Sequence, residues 1–335
     1  MQPGTCRRWP LAAAFAPLAL VAGAPPLAAQ TESAPAQSAL AAGQDTVSIN
    51  ALTSSPQPAS TDPQAATLAG PPAPAIHWLA EASGGIADRD GGPRGGFAVT
   101  GLSRKLGDYY LRGAFTAYRS TLERSDTALP STYLVGTLGG GGRFGHWVFD
   151  GWASYGRQQY GEINGATGPR SSPFHSSPYW ALGADFGRIL RLGPHWYATP
   201  TLTLTYTYSR LLHPGYHNDG TDDFQSSEPA LTGIAAIRLD HTLGRAQQSL
   251  IGLGYSHHAT SNGLSTVTLL GFDTQSGHAV PELGVLHRRD GWEELAGNAT
   301  LRLTHRLWLD LSVVRSFGAA AGDTTTGSAG FRLGF

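Results

Sequence analysis

The chain has 335 residues, a formal net charge of −1, and only 14% Asp, Glu, Lys and Arg. That balance leaves no basic face for a nucleic acid, and the charged fraction falls well below the roughly 25% of a soluble domain. A single Cys excludes a disulfide framework, while 44 Gly, 8 Trp, 12 Tyr and 12 Phe describe an aromatic, tightly turning chain.

Arg7 and Arg8 precede an uncharged Ala/Leu-rich run from Leu11 to Gly23, and Ala28 and Ala29 then precede Gln30. This pattern predicts a signal peptide over residues 1–29, exported by the Sec route and cleaved after Ala29. Cleavage there removes Cys6 and Met1, and with them any thiolate nucleophile or Cys-ligated metal. Residues 30–74 are mostly Ala, Pro, Ser, Thr and Gln. They bury too little apolar area to offset the entropy of ordering, which predicts a disordered periplasmic linker.

From Ile76 the texture changes to apolar/polar alternation, so residues 75–335 form the predicted folded domain. Fourteen strand candidates lie near 75–83, 96–104, 109–118, 131–142, 146–157, 178–189, 195–209, 229–242, 247–258, 264–273, 279–288, 292–304, 307–317 and 327–335. The stretch from Trp196 to Ser209 is the plainest. Trp196, Ala198, Pro200, Leu202, Leu204, Tyr206 and Tyr208 alternate with a neutral hydroxyl face that includes Thr201, Thr203 and Thr205. Alternate side chains point to opposite faces, so one face is greasy and the other wettable but uncharged, as for lipid outside and a polar lumen inside. After the signal no window holds the roughly 18 apolar residues of a membrane helix.

The connections at Leu106-Gly107-Asp108, Phe144-Gly145, Leu192-Gly193-Pro194, Leu243-Gly244-Arg245 and His305-Arg306 are short. Those at 119–130, 158–177, 210–228 and 318–326 are longer and polar. Such barrels place short turns in the periplasm, which puts both termini there and makes the strand number even. The predicted fold class is all-β, a transmembrane antiparallel up-and-down β-barrel of 12 to 14 strands, twelve if the first two candidates do not pair. Phe331, Leu333 and the terminal Phe335 alternate with small or polar residues. Bacterial outer-membrane barrels commonly end this way, and this end is the predicted assembly signal.

The region from about Phe97 to Phe335 resembles the translocator (beta) domain of autotransporters. The similar elements are Trp147-Val148-Phe149-Asp150-Gly151 followed by Tyr155-Gly156, and the strand Trp196 to Tyr208 with Thr199-Pro200. Gly254-Tyr255-Ser256-His257, the run Thr266 to Gly271 and the terminal Phe335 complete them. The resemblance implies a twelve-stranded barrel that threads a secreted passenger. Residues 30–74 hold no foldable passenger, and Pro56, Pro58, Pro63, Pro71, Pro72 and Pro74 break any helix that could plug the pore. The expectation is a translocator-like barrel without its own passenger, in a structural or narrow-pore role in the outer membrane.

Two alternatives stand beside it. Outer-membrane phospholipases and lipid A deacylases use a His and a Ser two residues apart with an Asn following, and here His258, Ser261 and Asn262 form the nearest pattern. His258 and Ser261 are three apart and fall on opposite faces of a regular strand unless a bulge shifts one. Asn262-Gly263 reads equally as a hairpin turn. The other alternative is a surface-loop adhesin using 158–177 and 210–228.

Arg112, Asp150, Arg238, Asp240, Arg302 and Arg332 alternate with outward apolar neighbours. With Thr201, Thr203 and Thr205 they form the predicted lumen lining, either as interior ion pairs or as a pore wall. His213 and His217 with Asp219, Asp222 and Asp223 read as a solvated loop rather than a metal site. Gly139 to Gly142 lack the Lys-Ser/Thr of a phosphate loop and suit close approach of another segment. Pro200 has no N–H to give to a closed ladder. No cofactor is expected. The expected partners are outer-membrane lipids and lipopolysaccharide, the barrel assembly machinery and periplasmic chaperones, with no nucleic acid.

Overall fold

The computed structural model describes residues 76–335 except 91, 93, 125–126, 166–167, 215–222, 245–248 and 274–279. The predicted signal peptide and linker lie outside the described residues. Fifteen strands follow in chain order: β1 (Trp78–Arg89), β2 (Gly95–Leu106), β3 (Tyr109–Arg124), β4 (Thr127–Phe144), β5 (Trp147–Tyr160), β6 (Ile163–Gly165), β7 (Gly168–Arg170), β8 (Ser176–Arg188), β9 (Leu190–Arg191), β10 (Trp196–His213), β11 (Phe224–Leu243), β12 (Ser249–Asp273), β13 (Val280–Arg302), β14 (Leu307–Phe317) and β15 (Thr324–Gly334). Twelve long strands pair antiparallel with their neighbours in chain order, and β15 returns to β1 to close the barrel. The short β6 and β7 make a small hairpin beside β4, and β9 pairs with the start of β10.

Fourteen candidates become twelve strands because two pairs of them merge. Candidates 247–258 and 264–273 are both β12, and 279–288 and 292–304 are both β13. The first two candidates do pair, as β1 with β2. Asn262-Gly263 is therefore not a hairpin turn but lies where the β12–β13 register shifts between Thr260 and Leu264. Glycine is needed there, because a Cβ on Gly263 would sit 2.1 Å from the Asp290 Cβ. True turns use Gly107 (φ 70°) and Gly145 (φ 60°), both at the barrel end that also holds Trp78 and Phe335. Their left-handed backbone is what tight hairpins require.

Pro200 falls where the ladder lapses. On the β8/β9 side of β10, Thr201 pairs with Gly187 and Ala198 with Leu190, and no bridge lies between them. The missing N–H is tolerated because no β8 partner asks for it.

Burial is inverted relative to a water-soluble protein. Leu138 and Phe144 are each 73% exposed, and Leu253, Leu202 and Tyr155 are similarly open. Meanwhile Arg112, Asp150, Gln158, Glu228, Asp240, His258 and Arg332 are buried. A continuous apolar exterior around a polar interior is the arrangement that hydrocarbon outside a closed barrel stabilises.

Candidate functional site

The polar interior is the candidate site, and it is built in layers. One layer lies four residues in from the end of the barrel that carries the short turns. There Glu81 on β1, Arg112 on β3, Asp150 on β5, Asp185 on β8, Asp240 on β11 and Asp310 on β14 occupy equivalent steps. The two-residue period sends all of them inward. Arg112 Nη2 meets Asp150 Oδ2 at 2.8 Å, and the Tyr110 hydroxyl donates to the same oxygen at 2.7 Å. Arg332 grips Asp310 with two bonds, Nε to Oδ2 at 2.6 Å and Nη2 to Oδ1 at 2.8 Å. Thr300 Oγ1 adds a 2.6 Å donation to Asp310. Arg238 Nε holds Asp240 at 2.8 Å on its own strand. Glu81 stands opposite Arg332 in the β1–β15 register.

The glycine run serves this layer. A Cβ on Gly139 would lie 3.0 Å from Arg112 Nε and 2.9 Å from the Gly151 carbonyl, so glycine lets the guanidinium lie against the wall. Thr201, Thr203 and Thr205 face inward on β10, half-buried between layers. Arg302 does not join them. Its Nε and Nη2 donate to the Thr304 and His305 carbonyls at 2.9 Å each, and its guanidinium carbon lies 5.7 Å from the Trp308 ring centroid. It caps the β13–β14 turn.

Higher in the barrel, Phe97, Val99, Tyr118, Tyr133, Val135, Tyr179 and Ala181 pack together from β2, β3, β4 and β8. Across from them Glu228, with no exposed surface, accepts from Ser226 and Ser265, and from Asn262 Nδ2 at 2.9 Å. His213 Nε2 lies 2.7 Å from Ser226 Oγ, and His287 Nδ1 lies 3.3 Å from the Glu228 carboxylate. This network ties β10, β11, β12 and β13 together. Nothing in the sequence marked Glu228 as its hub.

The suspected His258/Ser261 pair is not brought together. His258 is buried in the lumen, whereas Ser261 faces out and accepts the Leu231 N–H at 2.9 Å. His258 Nε2 instead lies 2.9 Å from Ser256 Oγ and 3.4 Å from Glu294 Oε2, with the Trp292 ring stacked on it at 4.8 Å. The i, i+2 spacing of Ser256 and His258 was the available signal. A Ser-His-acid relay needs hydroxyl and carboxylate on opposite imidazole nitrogens, and here both sit on Nε2.

Asp223 pairs with Arg170 through bonds of 2.6 and 2.8 Å. His217, Asp219 and Asp222 lie outside the described residues. Among the described residues no group of three or more His, Cys, Asp or Glu could hold a metal ion. Phe331, Leu333 and Phe335 all face outward, about half exposed, and Trp78 and Phe335 exchange backbone bonds of 2.9 and 3.0 Å where the barrel closes.

No family model and no curated relative matches the sequence. Among solved structures, the chain is similar to the translocator domain of the autotransporter NalP from Neisseria meningitidis, at TM-score 0.56 and 14% identity over 90% of this chain and 98% of that one. It is also similar to the beta domain of the Bordetella autotransporter BrkA, at TM-score 0.50 and 15% identity over 77% and 99%. At these identities the likeness shows a shared outer-membrane barrel fold.

Proposed function

We propose that the chain is a bacterial outer-membrane barrel of translocator build. Its role is structural, and its lumen is at most a narrow polar passage. The observation behind this reading is that the inward charges engage one another, Arg112 with Asp150 and Arg332 with Asp310, rather than standing as a one-signed ring. Such pairs lock strands together, whereas wide aqueous channels belong to barrels of about 16 to 18 strands. The test is conductance of the refolded barrel in a planar bilayer, with and without residues 30–74. Small or absent steps in both forms support the structural reading. Large porin-like steps in both overturn it.

A second reading, acyl hydrolysis, draws on the contact of Ser256 with His258 alone, since Glu294 shares the same imidazole nitrogen. Deacylation of outer-membrane lipids that is lost in Ser256→Ala would establish it in place of the first. Turnover unchanged by that substitution, or none at all, removes it.

A further inference from the structure

The outer wall formed by β5, β8 and β10 is aromatic and ends in two arginines. Rows of outward residues can be read across these strands from the pairing register. Phe149, Phe186 and Leu202 form one row, and Ala153, Leu182 and Tyr206 another. Above them Tyr155, Trp180 and Tyr208 lie side by side, with the Trp180 ring 5.2 Å from Tyr206 and 5.9 Å from Tyr208. One step higher Arg157 pairs with Pro178, and Arg210 lies on the far side of Pro178, next after the Ser209–Tyr179 pair. Both arginines are exposed.

The height of this row fits a headgroup. Ten residues of β5 separate Trp147, at the short-turn end, from Arg157. At about 3.3 Å per residue and a tilt of about 40°, that is about 25 Å along the barrel axis, the height of the apolar band of such barrels. Arg157 and Arg210 therefore stand where the outer leaflet's hydrocarbon ends. Two strands apart, their backbones are about 10 Å from each other, so the side chains can clamp one phosphate or hold one each.

The outward charge of this wall is all positive. Outward positions of β5, β8 and β10 carry no Asp or Glu. On other strands Arg315 is taken by Asp90, and His257 by Glu293 at 2.8 Å. Among the described residues no carboxylate lies within ion-pair distance of Arg157 or Arg210. Arg210 Nε reaches the Tyr208 hydroxyl at 3.5 Å, and that hydroxyl lies 3.1 Å from Ser227 Oγ, which extends the polar ledge onto β11.

We infer that Arg157 and Arg210, above the Tyr155–Trp180–Tyr206–Tyr208 shelf, form a binding site for a phosphorylated glycolipid of the outer leaflet. Its phosphates are held by the guanidinium groups and its sugar and acyl chains lie on the aromatic and leucine rows. This rests on the outer-membrane reading, and the test separates the two. The full chain, refolded in detergent, is titrated with diphosphorylated lipid A, its dephosphorylated form, and phosphatidylglycerol, and bound lipid is counted by native mass spectrometry. Lipid A should bind with preference over both others. Arg157→Gln with Arg210→Gln should weaken it by about tenfold or more. Arg188→Gln, at the opposite end of the same wall and 5.2 Å from the Trp147 ring, should not. Gel mobility that shifts on heating verifies that each variant is a folded barrel.

Equal binding by the folded double variant overturns the inference and leaves the outer-membrane reading standing. So does indifference to the phosphates, equal uptake of phosphatidylglycerol, or displacement by inorganic phosphate alone. A chain that cannot be inserted into lipid at all overturns both.

Discussion

At the residue scale, the lumen turns on charges whose partners stand on other strands. Arg332 is the sharpest case, because Asp310 takes two of its bonds and Glu81 stands beside it. Arg332→Ala leaves the buried Asp310 carboxylate without its cation, an arrangement that typically costs about 3 kcal/mol or more when a buried pair loses one member. Asp310→Ala leaves Arg332 with Glu81 still in range, and should destabilise less. Urea unfolding of the barrel in lipid measures both, and equal losses would show that Glu81 contributes nothing. Alternation alone marked Arg112, Asp150, Arg238, Asp240 and Arg332 as inward, since position along a strand decides face. It could not separate Arg302, whose inward step coincides with a turn whose carbonyls it caps. Nor could it find Glu228, whose partners come from neighbouring strands, whereas Ser256 was legible in its i, i+2 spacing from His258.

At the element scale, strand length was the part that local pattern misjudged. An Asn-Gly pair is a strong turn signal, yet in β12 Asn262 gives its amide to Glu228 and Gly263 makes room for Asp290. A side chain paired across strands and a glycine pressed by its neighbour are features of a bulge inside a hairpin. Gly263→Val should therefore disturb the β12–β13 pair by about 1–3 kcal/mol through overpacking, whereas the same change at a free turn would act through φ alone. Faster amide exchange on both sides of the Thr260–Leu264 shift, with β1 to β5 unaltered, is the expected result. A second tie is pH-dependent. Asp90, just beyond β1, is held below its ordinary range chiefly by its hydrogen bond to Arg315 on β14. A lowered carboxylate value means the tie is complete at neutral pH and is lost only as pH falls through that lowered value. Amide exchange near Asp90 and Phe317 should rise in that acid window, and Asp90→Asn should abolish the pH dependence.

At the scale of the whole molecule, the exterior is a ruler for the solvent it was built for. The apolar rows run from the Trp147–Phe186 stack, whose ring centroids are 4.8 Å apart, up to the Tyr155–Trp180–Tyr208 row. Charge resumes at Arg157 and Arg210, so the apolar height is about 25 Å and is set by strand length and tilt together. A bilayer thicker than this must thin around the barrel, at a fraction of a kcal/mol per Å of mismatch. Folding should therefore be most complete in short-chain phosphatidylcholine vesicles whose hydrocarbon core is near that height, and should decline steadily as the acyl chains lengthen. Heat-modifiable gel mobility and tryptophan emission, which shifts to shorter wavelength as Trp147, Trp180 and Trp196 meet lipid, measure the folded fraction. Equal folding at every thickness would mean that these rows do not face hydrocarbon. Efficient folding in buffer alone would go further, since it would require the exposed Leu138, Leu202 and Leu253 to find cover from protein instead.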